Sequence, residues 1–221
     1  MKPAIAIFDL DKTLLPFDCD EQWGLHLHRR GLCDADFLTR QAAYFEQYDQ
    51  GTLDIHEYQA FSLAATIKAG PARAREELAH FTQHIVQPSI PPKVASLIES
   101  HRQRGHWLLV ITATNHFVSR AVVDLFAIRD LLAIDLEVDE TGWFNGKIRG
   151  IPSFRQGKVD RFREWLTERN IDMRNFYTYF YSDSMNDLPL LSFVDQPVAT
   201  NPSADLRQFA KVNQWQIMDL F

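Results

Sequence analysis

Short apolar runs alternate with amphipathic segments along most of this chain, as in a parallel sheet with helices on both faces. The first run, Ala4–Phe8, ends directly at the acidic residues Asp9 and Asp11, which indicates a buried strand with polar residues at its carboxyl end. Further strands are predicted at Trp107–Ile111, Ala133–Val138, Phe176–Tyr181 and Pro197–Ala199, with a hairpin over 139–146. Helices are predicted between them at Lys93–Arg104, Asn115–Phe126, Gln156–Arg169 and Ala204–Lys211. The sequence therefore predicts an α/β fold.

One stretch, from residue 17 to 88, has no strand-like run. Its apolar residues recur at helical spacing, as Trp23 and Leu27 do, and glycines at positions 31, 51 and 70 divide it into about four helices. The proline-rich run 87–92 closes the stretch. We therefore predict a helical cap domain over 17–88, inserted after the first strand of a core domain formed by 1–16 and 89–221.

Charge and composition exclude several classes of partner. The net charge is −6, whereas nucleic acids and anionic membranes are bound by clustered positive charge. The chain has two cysteines, too few for a disulfide framework. It has neither a membrane-spanning run of about 20 apolar residues nor a secretory signal pattern. These features predict a cytoplasmic protein that binds neither nucleic acid nor membranes; they do not indicate its oligomeric state.

Two carboxylates, Asp9 and Asp11, stand two residues apart just after the first predicted strand. They can converge on one point outside the sheet, where such a pair can bind a hard cation through oxygen. They can also divide the roles of nucleophile and acid–base catalyst. A solvated acidic loop is the alternative interpretation.

Three later segments also carry polar side chains at element boundaries. Thr112 and the N–H of Ala113 stand at a strand end before a helix, which suits an anion site. Lys158 lies near the start of an amphipathic helix, and Asp183 and Asp187 follow an aromatic strand. Each segment alone has an ordinary explanation, namely a helix cap, a solvated lysine or an acidic loop.

Taken together and in this order, the four segments resemble the motifs of the haloacid dehalogenase superfamily. The matching residues are Asp9, Asp11, Thr13, Thr112, Lys158, Asp183 and Asp187. The position and helical character of the insertion resemble the phosphoserine-phosphatase-like IB branch. The resemblance implies a Rossmann-like core, an inserted helical cap of the C1 type and a phosphatase activity.

The resemblance also implies a mechanism and a metal. Asp9 would attack phosphorus and form an aspartyl-phosphate, and Asp11 would act as general acid and then as general base. Mg²⁺ would be held by Asp9, the main-chain carbonyl of Asp11 and Asp183. Thr112, Ala113 and Lys158 would hold the phosphoryl group. Residues Asn186 and Asp187 would orient the waters on the metal.

The substrate would be selected by the cap. Asp18 stands where phosphoserine phosphatases carry a glutamate that reads the amino acid, and Ala60 stands where we expect their carboxylate-binding arginine. A carboxylate at position 18 favours a substrate with an amino group, and the missing arginine disfavours a substrate with a carboxylate. Both features suit an amino-alcohol phosphate, such as histidinol phosphate or phosphoethanolamine. Trp23 either lines the substrate pocket or packs the first cap helix. A phosphoserine phosphatase, a phosphotransferase and a non-catalytic phosphate-binding module remain alternatives.

Overall fold

The computed structural model describes residues 2–221, and a six-stranded parallel sheet forms its centre. In chain order the strands are β1 Ala4–Phe8, β2 Trp107–Asn115, β3 Asp130–Ile134, β4 Leu136–Val138, β5 Phe144–Ile148, β6 Tyr177–Ser182, β7 Gln196–Thr200 and β8 Gln216–Met218. The order across the sheet is β3-β2-β1-β6-β7-β8. Strands β4 and β5 form a separate antiparallel hairpin. The sheet confirms the predicted α/β, Rossmann-like fold class.

Within residues 2–221, eight α-helices accompany the strands. They are α1 Cys19–Arg29, α2 Ala35–Asp49, α3 Ile55–Phe81, α4 Pro92–Gln103, α5 His116–Asp124, α6 Gln156–Glu168, α7 Leu188–Leu191 and α8 Ala204–Val212. Helices α1 to α3 all lie between β1 and α4 in the sequence, as the segment without strands predicts. No helix within residues 2–221 is long and apolar enough to cross a membrane.

The alternation of side chains along the strands gives the sheet two apolar faces. In β1, Ile5 and Ile7 point to the face covered by α6, α7 and α8, whereas Ala6 and Phe8 point to the face covered by α4 and α5. All four side chains are completely buried. Because both faces of β1 are covered, its sequence is an unbroken apolar run rather than an alternating one.

The helical segment between β1 and α4 is organised by aspartates and one glycine. Asp18, Asp34 and Asp54 precede α1, α2 and α3, and each side chain accepts a hydrogen bond from a main-chain N–H in the first turn. Helix α3 bends at Gly70, whose φ of 77° is left-handed, directly before Pro71. The bend divides α3 in two, which agrees with the four helical pieces predicted from the sequence.

Two details of the strand prediction were wrong. The single strand predicted at Ala133–Val138 is divided at Asp135, where the chain leaves β3 and enters the hairpin. Strand β8 was missed, because it has only three residues and lies at the sheet edge with one neighbour. Neither difference affects the strands that carry the motif residues.

Candidate active site

The four motif segments meet at the carboxyl edge of the sheet, beside a cavity of about 650 Å³. Asp9 follows β1, Thr112 lies near the end of β2, and Asp183 follows β6. Strand β1 is hydrogen-bonded to both β2 and β6, so these segments are neighbours in space. The opposite wall of the cavity comes from α1, α2 and α3.

Asp9 lies at the base of this cavity and is held from three directions. Its main-chain N–H donates to the carbonyl of Tyr181 at 2.9 Å, which fixes the loop to β6. Its Oδ1 accepts from Lys158 Nζ at 2.8 Å, and its Oδ2 accepts from Thr13 Oγ1 at 3.3 Å. The residue is only 6% exposed yet borders the cavity, so one buried carboxylate faces any ligand there.

Lys158, in the first turn of α6, lies between two carboxylates. Its Nζ is 2.8 Å from Asp9 and 2.7 Å from Asp187. Burial alone would lower the pKa of this lysine, but the charges of the two carboxylates raise it by a larger amount, so the net shift of the pKa is upward. The preceding residue, Gly157, allows the first turn of α6 to lie close to the main chain at Pro152, because a Cβ at position 157 would collide with the carbonyl oxygen of Pro152.

Carboxyl groups outnumber cations around Asp9. Burial raises the pKa of Asp9 to about 7 although Lys158 opposes the shift, and Asp187 and Asp11 add to it. Burial, then the charges of Asp9 and Asp187, likewise raise the pKa of Asp183 well above its usual value. A divalent cation at this position would relieve the repulsion among these groups.

The oxygen atoms present fit a hard cation. The Thr13 hydroxyl lies 3.3 Å from Asp9 Oδ2 and 3.4 Å from Asp183 Oδ1, which brings the two carboxylates side by side. Within residues 2–221 no group of three or more His, Cys, Asp or Glu side chains is arranged to hold a metal. The predicted set differs from such a group, because its third oxygen is the main-chain carbonyl of Asp11. An all-oxygen set of this kind suits Mg²⁺, which keeps several waters.

Asp11 is fixed by donors from two other segments. Its Oδ1 accepts from the Cys19 N–H at 2.7 Å, and its Oδ2 accepts from Thr114 Oγ1 at 2.7 Å and Thr112 Oγ1 at 3.3 Å. Thr114 was not predicted as a site residue. Its position two residues after Thr112 on β2 was the available signal, because alternate residues of a strand share a face.

The sequence of the segment from Thr112 to Asn115 allowed two interpretations, an anion site and a helix cap, and different residues of the segment correspond to each. Thr112 is completely buried, Ala113 borders the cavity, and Asn115 caps α5 by accepting from the Val118 N–H at 3.1 Å. The helix cap is therefore Asn115, whereas Thr112 donates to Asp11 at 3.3 Å.

Residues Asn186 and Asp187 have different surroundings. Asp187 accepts from Ser182 Oγ at 2.7 Å and is buried beneath the cavity. Asn186 accepts from Arg155 Nε at 3.0 Å and donates to the Tyr48 carbonyl at 3.0 Å. The Asn186 amide therefore connects the loop after β6 with the end of α2.

The two predicted cap residues also differ. Asp18 borders the cavity, and its carboxylate accepts from the Glu21 N–H at 3.0 Å. Burial raises the pKa of Asp18 well above its usual value. Trp23, in contrast, is 3% exposed and packs edge-on against Phe81, and its indole N–H donates to Thr66 at 3.0 Å. The structure does not bring Trp23 to the cavity wall and places it in the packing of α1 against α3.

Several cavity residues were not among the predicted site residues. Asp20 is 4% exposed, and its carboxylate accepts from Tyr58 Oη and Asn115 Nδ2, both at 3.3 Å. Burial raises the pKa of Asp20 to about 7, and Asp11 adds to the shift. The aromatic residues Tyr44, Phe45, Tyr48 and Tyr58 complete this wall. The only sequence signal for Asp20 was its place beside Asp18, and none existed for the aromatic residues.

Comparison with known proteins identifies the family of this chain. The model of the haloacid dehalogenase-like hydrolases matches residues 6–192. A histidinol-phosphatase from Neisseria meningitidis serogroup C (strain 8013) is 37% identical over 217 residues, which cover 97% of this chain and 98% of the relative. A Bordetella pertussis Tohama I protein with unknown function has 36% identity and a TM-score of 0.93, with all of both chains covered. A substrate-bound phosphoserine phosphatase shares the fold at 12% identity and a TM-score of 0.70, over 99% of this chain and 93% of its own.

Proposed function

The chain belongs to the haloacid dehalogenase-like hydrolase family and is a phosphatase, and on this premise we propose a Mg²⁺-dependent phosphomonoesterase with Asp9 as nucleophile. The observation that carries the proposal is the position of Asp9. Its carboxylate is buried at the base of the cavity, paired with Lys158 on one oxygen and close to Thr13 on the other. A carboxylate in this position can attack a phosphorus atom held at the sheet edge.

In the first step an Asp9 oxygen forms a bond to phosphorus while the bond to the leaving oxygen breaks. Asp11 donates a proton to that leaving oxygen. In the second step Asp11 takes a proton from water, the water attacks phosphorus, and inorganic phosphate leaves with the Asp9 carboxylate regenerated. The three donors on Asp11 support this role, because a group that transfers protons twice must keep one position.

The transferring phosphoryl group carries negative charge, and most catalysis of its transfer comes from neutralising that charge. We assign this task to Lys158, to the N–H of Ala113 and to the Thr112 hydroxyl, which would turn from Asp11 to the phosphoryl group when substrate binds. Mg²⁺ would be held by the carboxylates of Asp9 and Asp183 and the carbonyl of Asp11, with Asn186 and Asp187 behind them. When bound, it supplies the charge neutralisation that lets an anionic nucleophile approach an anionic phosphate.

Residues 17–88 would act as a cap domain over a core of 1–16 and 89–221. The support is that the cavity has one wall from the sheet edge and one from α1, α2 and α3. A catalytic site divided in this way lets the core bind phosphate while the cap contacts the leaving group.

We propose a small phosphomonoester of the cytoplasm as the substrate, with histidinol phosphate as the first candidate. The cap wall holds the carboxyls of Asp18 and Asp20, which suit a cationic leaving group. The similarity to the Neisseria histidinol-phosphatase supports the same choice.

Phosphoserine is the alternative, and its carboxylate would have to enter a cavity lined by carboxylates. Within residues 2–221 the only cationic side chain among the cavity-lining residues is Lys12, whose pKa is raised because the charges of Asp18, Asp183 and Asp49 outweigh its burial. Lys12 is therefore already compensated. The carboxylate of phosphoserine would therefore lack a cationic partner in this cavity, and a buried carboxylate without a partner is costly.

The test is phosphate release from histidinol phosphate, phosphoethanolamine, phosphoserine and p-nitrophenyl phosphate, with Mg²⁺ and with EDTA, beside Asp9→Asn. We expect Mg²⁺-dependent turnover that Asp9→Asn abolishes, with the highest kcat/KM on histidinol phosphate. Adding an alcohol acceptor tests phosphotransfer. A higher kcat/KM on phosphoserine would contradict the substrate, and turnover by Asp9→Asn would contradict the mechanism.

A further inference from the structure

Asp20 is a buried carboxyl that the proposed mechanism does not use. It lies in the first turn of α1, borders the cavity and is 4% exposed. Its two hydrogen bonds come from neutral donors, Tyr58 Oη and Asn115 Nδ2, each at 3.3 Å. Within residues 2–221 no Lys, Arg or His forms an ion pair with it. A buried carboxylate without a cation is costly, so the residues around Asp20 leave its charge poorly compensated.

Tyr58 joins the carboxyl to an aromatic surface. Its hydroxyl donates to Asp20, while its ring meets the ring of Tyr44 edge-on at 5.6 Å and that of Phe45 at 6.1 Å. All three rings line the cavity. Such rings attract a cation through the negative charge of their faces.

A carboxylate beside aromatic faces has a definite chemical preference. A simple ammonium needs only the carboxylate, whereas a planar ring with an N–H group can use both features at once. An imidazole ring donates its N–H to a carboxylate, and it lies against an aromatic side chain with additional attraction when protonated. Asp18, on the same wall, remains for the amino group.

From this arrangement we propose that Asp20 and Tyr58 select substrates whose leaving group carries an imidazole ring. Asp20 accepts the ring N–H, and Tyr58 both packs against the ring and holds the Asp20 carboxylate in place. Tyr58 is thus a positioning residue as well as a contact. The inference rests on the proposed function and refines its substrate class.

The experiment compares Asp20→Asn and Tyr58→Phe with the wild type on three phosphomonoesters. Histidinol phosphate has the ring and an amine, phosphoethanolamine has an amine only, and p-nitrophenyl phosphate has neither. Asp20→Asn should lower kcat/KM for histidinol phosphate roughly 10- to 100-fold, the factor that a hydrogen bond to a charged group carries. The loss should be mainly in KM, and kcat/KM for the other two esters should change less than about 3-fold.

Tyr58→Phe keeps the ring and removes the hydroxyl, so it should lower kcat/KM for histidinol phosphate several-fold and leave the other esters unchanged. It also tests the inference if Asp20→Asn does not fold. Asp36→Asn, a carboxyl-to-amide change at an exposed position of α2 that does not line the cavity, is the matched control and should not alter the ranking of substrates.

The outcomes separate the two proposals. Equal losses on histidinol phosphate and phosphoethanolamine would mean that Asp20 reads the amine, and this would overturn the inference. No loss on histidinol phosphate in either variant would also overturn it, while inactivity of Asp9→Asn would still support the proposed function. Full activity of Asp9→Asn on p-nitrophenyl phosphate would overturn the proposed function itself.

Discussion

At the scale of single residues, the site is a set of buried charges that depend on one another. Lys158 is 2% exposed, and its Nζ contacts both Asp9 and Asp187. Its removal would leave two buried carboxyls without their shared cation. Breaking a buried ion pair from one side costs more than the pair contributes, because the remaining charge is uncompensated.

We therefore expect Lys158→Met to lose phosphatase activity and also to lower the free energy of unfolding by about 3–5 kcal/mol. Urea denaturation followed by circular dichroism measures the second effect. The double variant Lys158→Met with Asp187→Asn should recover part of the lost stability but none of the activity. A single variant as stable as the wild type would show that the three groups are not coupled.

Thr114 gives a second test at this scale, since it donates to Asp11 at 2.7 Å and makes the shorter of the two threonine contacts. Thr114→Val keeps the shape and removes the hydroxyl. We expect kcat to fall roughly 10-fold with little change in KM, as loss of a hydrogen bond to a charged group predicts. A change in KM alone would instead indicate a role in substrate binding. Thr39→Val, at an exposed position of α2, is the control.

The motif residues could be predicted from the sequence because each follows a recognisable strand or begins a helix. For Thr114 the only signal was its place two residues after Thr112, for Asp20 it was its place two residues after Asp18, and for Tyr58 there was none. Thr114 contacts Asp11 across 103 positions, and Tyr58 contacts Asp20 across 38. The sequence could not decide the position of Trp23, since an aromatic residue on an amphipathic helix has the same pattern whether it faces a cavity or a neighbouring helix.

At the scale of elements, long and periodic segments were predicted well and short ones were not. Apolar runs such as β1 are covered on both faces, so burial and sequence agree there. Strands β4 and β8 have three residues each, and so short a segment has no period to detect. The division of α3 was predictable, because Gly70 before Pro71 breaks a helical pattern.

Gly70 also provides a prediction about this bend. Its φ of 77° is left-handed, and a Cβ added there would meet no atom within 4 Å, so only backbone strain opposes a substitution. With ψ at 166°, this is a backbone conformation essentially restricted to glycine, so Gly70→Ala should lower the free energy of unfolding by about 1–3 kcal/mol. Activity on p-nitrophenyl phosphate should be retained, because the bend lies outside the cavity lining. An unchanged denaturation midpoint would contradict the assigned backbone strain.

At the scale of the whole molecule, one apolar cluster joins the helical segment to the sheet. Trp23, Leu27 and Phe81 belong to the same buried cluster as Phe8 and Val118. The composition of this cluster could be guessed from the apolar periodicity, but its continuity depends on how the helices pack. The same packing creates the cavity, which is why its aromatic wall was not predicted.

Stability of the whole molecule should depend on pH through His101, which connects α4 to β6. It is 1% exposed, and its Nε2 lies 2.8 Å from Tyr181 Oη. Burial, with Arg104 and His106, lowers the pKa of His101 to about 4. Between pH 6.5 and 4, residue 101 therefore binds a proton in the unfolded chain but not in the folded protein, and the contribution of His101 to stability falls as the pH falls.

The contribution of one such group cannot exceed about 1.4 kcal/mol per pH unit. We expect His101→Gln to be less stable at pH 7 but to lose less stability than the wild type between pH 6.5 and 4.5. Urea denaturation at each pH measures this difference, with His56→Gln, at an exposed position, as control. Parallel stability curves for the wild type and His101→Gln would assign the pH dependence to other groups.

The central claim is that Asp9 becomes phosphorylated during turnover. The most direct measurement is acid quenching during a single turnover of histidinol phosphate with Mg²⁺, followed by mass spectrometry of the peptide that contains residue 9. Asp11→Asn, which should slow the water attack, would be measured beside the wild type and Asp9→Asn. We predict a transient phosphoryl group on Asp9 that persists longer in Asp11→Asn and is absent from Asp9→Asn. Phosphate release without any phosphoryl group on Asp9, or with one on another residue, would contradict the account.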